Sequence, residues 1–480
     1  MGSLLEGVLA YIAVVTVGTT QLDALVAECE ANPPRLVDGE VEFHPAYHAA
    51  GRLVWSTGVV GAPAREQASL FFELAQAGEG GHACPVVCTA GLVRALRSRA
   101  SEELRSRFLP QLLSIDYDGA ERGAQFLTER HGGSDVGANR VEAVPGADGW
   151  RLYGEKWFCS VADADQFLVT ARPRGAPDGT RGIGCFLVPR SGGGFRIRRL
   201  KDKLGTRALA TGEIEFEGAG AYALGPLEEG FGTAVSVLNT SRWLNAVGSA
   251  GLMRRAVDEA RAFAAEREAF GRPIDGFPLV RENLAVMRAE AAAALASSLH
   301  LTQLVARIDD GAATAEDVAW HRILVNANKF VTSLAATKVC RRGIEALGGN
   351  GTIEDFSPLP RLYRDAIVFE SWEGTHNVLC AQVLRDLAKL DAVDLVVARA
   401  HAPEELGARL RRSLDEPEWG ALHGRRQLDE LVRWLQVTEL RAGGEEAAAD
   451  LVGRRRLTPG YDPEADPSYP DVIEAVLEAK

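Results

Sequence analysis

Several things scarce in this 480-residue sequence narrow its reading. Basic residues are outnumbered, 53 lysines and arginines against 66 aspartates and glutamates, for a formal charge of −13. Such a chain repels phosphate backbones and anionic lipid unless basic side chains gather locally, so nucleic acid is disfavoured as a partner and no membrane is expected. Cysteines number only seven, an odd count scattered along the chain, which suits reduced thiols in a cytoplasmic protein better than a disulfide framework. Long apolar runs are missing. Val8 to Val17 spans ten residues, where a membrane-crossing helix needs about 20. The run is expected as a core segment, and without a basic stretch ahead of it no targeting signal is read. Neither a P-loop nor a Gly-x-Ser-x-Gly elbow occurs, leaving nucleoside triphosphatase and serine hydrolase readings unsupported. His44-x3-His48 and Cys84-x3-Cys88 have no second pair at zinc-site spacing, and no metal is expected.

What is present, 46% apolar and 25% charged residues, is globular material with length for about three domains. Between about 20 and 120 apolar residues recur at three and four: Leu22, Leu25 and Val26, then Leu70, Phe71 and Leu74, Leu92, Val93 and Leu96, and Leu104, Phe108 and Leu112. That spacing predicts a helical layer, with stops at Asn32-Pro33-Pro34, Ala62-Pro63 and Ala83-Cys84-Pro85. From about 122 to 225 the period becomes two, in Trp150–Tyr153, Gln166–Val169, Gly184–Val188, Phe195–Arg198 and Glu213–Phe216, a small β domain. Long helical segments follow at about 231–268, 279–309, 314–346 and 375–390, of a length for a helix bundle. The last stretch, 391–480, stays helix-rich and holds twelve basic against nineteen acidic residues.

Five short segments carry chemistry. Phe126-Leu127-Thr128-Glu129-Arg130-His131-Gly132-Gly133-Ser134 places two glycines and a hydroxyl in a turn whose amides can accept an anion. Gly154-Glu155-Lys156-Trp157-Phe158-Cys159-Ser160 sets aromatic residues in a strand, and Glu266-Arg267-Glu268-Ala269-Phe270-Gly271 offers a guanidinium suited to phosphate. Ala346-Leu347-Gly348-Gly349-Asn350-Gly351 is a further glycine turn, and Trp372-Glu373-Gly374-Thr375 presents a carboxylate among apolar neighbours. A carboxylate there is pushed toward a higher pKa and becomes a stronger base.

In this order the segments resemble the signatures of the acyl-CoA dehydrogenase family over about residues 30–390, with a leaning toward its alkylation-response, AidB-like branch in Ala31–Pro34, Phe43-His44-Pro45, Lys156-Trp157-Phe158, Leu200–Gly205 and Gly248–Arg255. The resemblance implies an α+β fold: an N-terminal helical domain (1–121), a middle β-barrel domain (122–226), a C-terminal four-helix bundle (227–390) and a helical, acidic extension (391–480). It implies FAD, contacted by Phe126, Thr128, Gly133 and Ser134 of the first turn and by Phe158 and Ser160 of the strand. Arg267 and Phe270, Gly348 and Gly349, and Thr375 and Asn377 are implied as its further contacts, some across a subunit boundary, so a homo-oligomer, dimer or tetramer, is expected. Glu345 stands where many members carry glutamine. Glu373 is implied as the base that removes the α-proton of an acyl thioester, carried by CoA or a carrier protein, while hydride leaves the β-carbon for the flavin. Arg242 and Gly374 lie toward the substrate, with Asn239 where an acid is common. Electrons then pass to an acceptor such as an electron-transfer flavoprotein. Two other outcomes remain open on the same framework: a DNA-associated flavoprotein of alkylation response using Arg411, Arg412, Arg425, Arg426 and Arg454–Arg456, and a flavin oxidase or monooxygenase.

Overall fold

The computed structural model describes residues 19–147 and 149–479; the apolar run Val8–Val17 lies outside them. Five helices come first: α1 (Thr19–Ala31), α2 (Pro45–Trp55), α3 (Ala64–Gln76), α4 (Ala83–Arg99) and α5 (Glu102–Leu112). A short hairpin of β1 (Arg35–Val37) and β2 (Glu40–Glu42) follows α1. The three-and-four spacing works as expected, burying Leu70, Phe71 and Leu74 on α3, Leu92, Val93 and Leu96 on α4, and Leu104, Phe108 and Leu112 on α5. The expected stop at Ala83-Cys84-Pro85 is instead the first turn of α4. Proline is tolerated there because first-turn amides have no partner within the helix to lose.

Seven strands form the next region: β3 (Gly123–Phe126), β4 (Glu142–Gly146), β5 (Gly149–Ser160), β6 (Gln166–Pro173), β7 (Gly184–Pro189), β8 (Phe195–Leu200) and β9 (Thr211–Ala223). The five alternating stretches lie on β5 to β9. β6 pairs with both β4 and β7, and β4–β5–β9–β7 completes a ring, so the sheet closes like a barrel, with β3 attached to β6 and β8 to β9. Phe167, Phe186, Ile214 and Phe216 fill its core.

The rest is helical: α6 (Gly230–Glu266), α7 (Pro278–Asp309), α8 (Ala315–Leu347), α9 (Leu359–Ser371), α10 (His376–Leu390), then α11 (Val393–Ala400), α12 (Glu404–Asp415), α13 (Pro417–Ala442), α14 (Glu446–Leu457) and α15 (Tyr469–Glu478). A hairpin, β10 (Glu268–Ala269) and β11 (Arg272–Pro273), separates α6 from α7. Four of these match the expected segments to within two residues; α9 was not expected. Thr314 and Asp317 form a capping box at the start of α8, each side chain accepting the other's backbone N–H. Small residues on α7, Ala285, Ala289 and Ala293, pack in one buried cluster with Val437 and Leu440 of α13, Val452 of α14 and Ile473 of α15. No helix among the described residues is long and apolar enough to cross a membrane. All seven cysteines are buried and unbridged.

The chain divides into two compact units, one ending at Ala62 and resuming over Glu79–Ser241, the other formed by Pro63–Gly78 and the chain from Arg242 onward. Helix α3 therefore groups with the bundle, and the division falls inside α6.

Candidate active site

Within the strand-bearing unit, the first two signature segments are joined by an ion pair that neither reveals alone. Lys156 of β5 is wholly buried, and its ammonium group donates to Glu129 Oε1 at 2.8 Å, to the Leu127 carbonyl at 3.0 Å and to Thr170 Oγ1 at 3.2 Å. Burial pushes the Lys156 pKa down, and Glu129 opposes that shift. The Glu129 carboxylate also accepts the amides of Arg140 (2.5 Å) and Val141 (3.1 Å), so the loop beyond it hangs from one buried acid. A Cβ on Gly132 would lie 2.2 Å from Asn139 Oδ1; the loop's own packing demands that glycine. Gly133 and Ser134 occupy its exposed rim and Thr128 is half-buried. The Phe126 ring sits in the core, 4.8 Å from Phe167, and only its backbone can face a ligand.

The strand carrying the second segment is irregular where the sequence reading puts its aromatic shelf. Lys156 pairs with Ile214 and Cys159 with Gly212, so Trp157 and Phe158 stand opposite a single residue of β9. This bulge turns the Trp157 amide to the Thr128 carbonyl, 2.9 Å away. Phe158 is left 54% exposed. Lys201 lies 3.7 Å from the Trp157 ring centre and 4.7 Å from that of Phe158, and the Ser160 hydroxyl is 3.4 Å from that of Thr211. An open aromatic face beside a hydroxyl suits a flat, polar-edged ligand.

In the helical unit, α9 ends at Ser371 and the chain passes through Glu373 and Gly374, both at positive φ (52° and 105°), before α10 begins. Left-handed backbone at a non-glycine residue costs about 1–2 kcal/mol, and two buried cations hold it here. Arg242 of α6 donates from Nε to the Glu373 carbonyl at 3.0 Å. Lys329 of α8, fully buried, donates to the carbonyls of Glu370 (2.8 Å) and Gly374 (3.3 Å). Asn245 Nδ2 donates to the Phe369 carbonyl at 3.2 Å, and its amide favours the ionised Glu373 carboxyl. Glu373 Oε2 is buried with no hydrogen-bond partner. Burial pushes this carboxyl above the usual range, opposed by Lys329, then Arg242, then Asn245. Burial likewise brings Arg242 down to about 10, still a cation at neutral pH, and lowers Lys329. Beside them His376, pushed down to about 4 by burial, stands 3.7 Å from Glu370, whose carboxylate accepts from Thr337.

The remaining expected contacts are exposed. Arg267 follows α6, and Phe270, 97% exposed at φ +53°, forms with Gly271 the two-residue tip of the β10–β11 hairpin. Gly348 ends α8 at φ +61°, while Gly349 has no positive φ and nothing within 4 Å of an added Cβ. Thr375 precedes α10 without using its hydroxyl to cap it, and Asn377 lies exposed in the first turn. Arg242, read as a substrate contact, is nearly buried and turned to the Glu373 backbone, within 3.8 Å of where a Cβ on Gly374 would sit. Glu129, Lys156, Asn245 and Lys329 escaped the sequence reading as site residues. Lys329 alone had a signal, a lone charge inside the helical tract Asn326–Val331.

The model of the acyl-CoA dehydrogenase C-terminal domain matches residues 228–388, that of the middle domain 124–219, and that of the adaptive response protein AidB N-terminal domain 24–119. The putative acyl-CoA dehydrogenase AidB of Escherichia coli (strain K12) is 34% identical over 404 residues, 78% of this chain and 72% of that protein. The chain belongs to the acyl-CoA dehydrogenase family. It lies on the AidB-like branch. A solved structure titled Bd2924 apo-form superposes with a TM-score of 0.84 at 30% identity, covering 88% of this chain and 90% of that one. Caenorhabditis elegans ACDH-11 in complex with C11-CoA gives 0.81 at 27% identity, covering 95% and 84%. Members of this family are FAD-dependent, and the strand-bearing unit of this AidB-like chain fits such a group, since Phe158 is 54% exposed with Lys201 near its ring; in the helical unit Thr375 leaves its hydroxyl out of the α10 cap and Gly349 is a glycine that the fold itself does not require.

Proposed function

We propose that this chain is an FAD-dependent oxidoreductase that introduces an α,β double bond into an acyl thioester, with Glu373 as the base. The supporting observation is the Glu373 carboxyl itself, with one oxygen buried and unpartnered in a turn held by Arg242 and Lys329. Desolvation raises its affinity for a proton, and the two cations limit that rise, so the carboxylate can be ionised when substrate arrives and still accept the α-proton. Phe158, Ser160, Arg267, Gly348, Gly349 and Thr375 are the residues proposed to contact FAD, with Arg267 and Phe270 reaching a second copy of the chain. Bound FAD would supply the acceptor for the hydride that leaves the β-carbon and an outlet for the electrons to a separate acceptor such as an electron-transfer flavoprotein. The C11-CoA bound by ACDH-11 makes a CoA thioester of that length the first probe.

DNA association draws no support from the extension. Ion pairs hold Arg399, Arg409, Arg411, Arg412, Arg433, Arg441 and Arg454–Arg456, nine of its eleven arginines. Guanidinium groups already spent on carboxylates have less to gain from phosphates.

Glu373→Gln in the FAD-loaded protein tests the proposal. It is expected to keep the flavin and lose bleaching by acyl-CoA thioesters; bleaching at the parent rate would show that Glu373 is not the base. Oxygen consumption with substrate and no added acceptor would instead mark an oxidase.

A further inference from the structure

The turn that carries Glu373 poses two problems. Its backbone leaves the α9 helix end in a left-handed conformation, so the carbonyls of Glu370, Glu373 and Gly374 need donors from elsewhere. Its side chain is a carboxylate in a desolvated place, where burial favours the protonated form, which cannot act as a base. One side chain answers both. Lys329 projects from α8 with no exposed surface and donates to two of the three carbonyls, 2.8 Å to Glu370 and 3.3 Å to Gly374, while Arg242 takes the third. Its hydrogen bonds thus fall on both sides of residue 373.

The charged and titratable groups facing it are Arg242 from α6, Glu370 and Glu373 at the end of α9, and His376 of α10. Asp386 acts in turn on Arg242, and Lys338 and Arg425 on His376. Two basic and two acidic side chains therefore share one buried region, and His376 there is neutral near pH 7. In such a group a missing cation is felt by every remaining member, because little water screens the loss.

We infer that Lys329 is a positioning residue for Glu373: its ammonium group fixes the carbonyls flanking the base and is the counter-charge that keeps the carboxylate ionised until substrate binds. The inference rests on Glu373 being the base, and adds a residue that touches neither substrate nor flavin. Lys329 works against proton uptake in order to keep the base available. Without it, Glu373 is a stronger base in principle and a protonated one in practice.

The test uses FAD-loaded Lys329→Met and Lys329→Arg beside Glu373→Gln, with flavin reduction by an acyl-CoA thioester followed across the neutral pH range. In Lys329→Met the ascending limb is expected to move up by about one pH unit, with most of the rate recovered at alkaline pH; Lys329→Arg, which keeps the charge, should retain the parent limb. A lower rate at every pH with an unmoved limb would reduce Lys329 to a merely structural part and overturn the inference. Parent-rate reduction by Glu373→Gln would instead sink the base assignment itself, so the two failures are distinguishable. A second readout needs no turnover. If the counter-charge is lost, the folded carboxyl in Lys329→Met binds its proton more tightly than the unfolded one, so stability is full at low pH and falls as pH rises through the folded value. The melting temperature of Lys329→Met should therefore drop with pH relative to that of the double variant Lys329→Met/Glu373→Gln, which lacks the same lysine and also the carboxyl. A gap independent of pH overturns the inference.

Discussion

Lys156 and Glu129 lie 27 positions apart and are both buried, with the ammonium group surrounded by three oxygens. Removing one partner of such a pair leaves the other charged and desolvated, a loss of about 3–5 kcal/mol. Lys156→Met is therefore expected to destabilise the fold by about that amount, measured by urea unfolding. Because the same lysine ties the Gly132–Ser134 turn to the bulge at Trp157 and Phe158, flavin content after desalting should fall even under conditions where the variant is fully folded. A variant that unfolds more readily yet retains flavin like the parent would show that the tie serves stability alone. Here the sequence was half legible. Both segments could be found as signatures, since each is local, but their joining depends on a closed sheet that places residues 129, 156 and 170 around one point. The same holds at Glu373: the acid and its glycine were readable, whereas Asn245 and Lys329 come from helices about 130 and 45 residues away in sequence and acquire meaning only when packed.

At the scale of elements, the extension is pinned to the bundle through Glu290. Burial alone would raise this carboxyl on α7, but Arg433 of α13 and Arg456 of α14, with donors at 2.7 Å each, bring it down to about 2. A carboxyl lowered from its ordinary 4.5 contributes stability above the unfolded value that is lost as pH falls toward the folded one. That amounts to about 3 kcal/mol, present at neutral pH and gone by about pH 2. Glu290→Gln should be less stable than the parent at neutral pH, and the gap should close on acidification, as read from urea midpoints at several pH values; a gap that does not narrow would mean that other carboxyls govern acid unfolding. Long periodic helices such as α7 and α8 were legible because about thirty residues each repeat one pattern. Helix α9 is only thirteen residues long, too few to repeat such a pattern as often, and its Pro358 and Pro360 sit at its start, where proline fits. The grouping of α3 with the bundle had no local signal, since an amphipathic helix shows which face it buries and not against what.

At the scale of the whole molecule, Phe270 is the residue that the single chain does least to explain. Positive φ at Phe270 and Gly271 gives the β10–β11 hairpin a tip of the kind in which asparagine and glycine are favoured. A phenylalanine there carries the left-handed penalty of about 1–2 kcal/mol. Its ring is 97% in water, with an edge contact to Phe277 at 6.1 Å. An apolar ring held out by strained backbone, three residues past the exposed Arg267, gains its energy when something covers it. The proposed cover is a second copy of the chain, with flavin phosphate at Arg267 beside it. Phe270→Asn suits the turn and exposes less apolar surface, so the isolated chain should be no less stable, whereas the assembly should weaken. Sedimentation of the FAD-loaded protein over a dilution series is expected to show dissociation of Phe270→Asn at concentrations where the parent stays associated, together with faster loss of flavin. Parent-like mass and flavin retention throughout the series would mean that the ring lies outside any subunit contact, and that the strain at residue 270 has another cause.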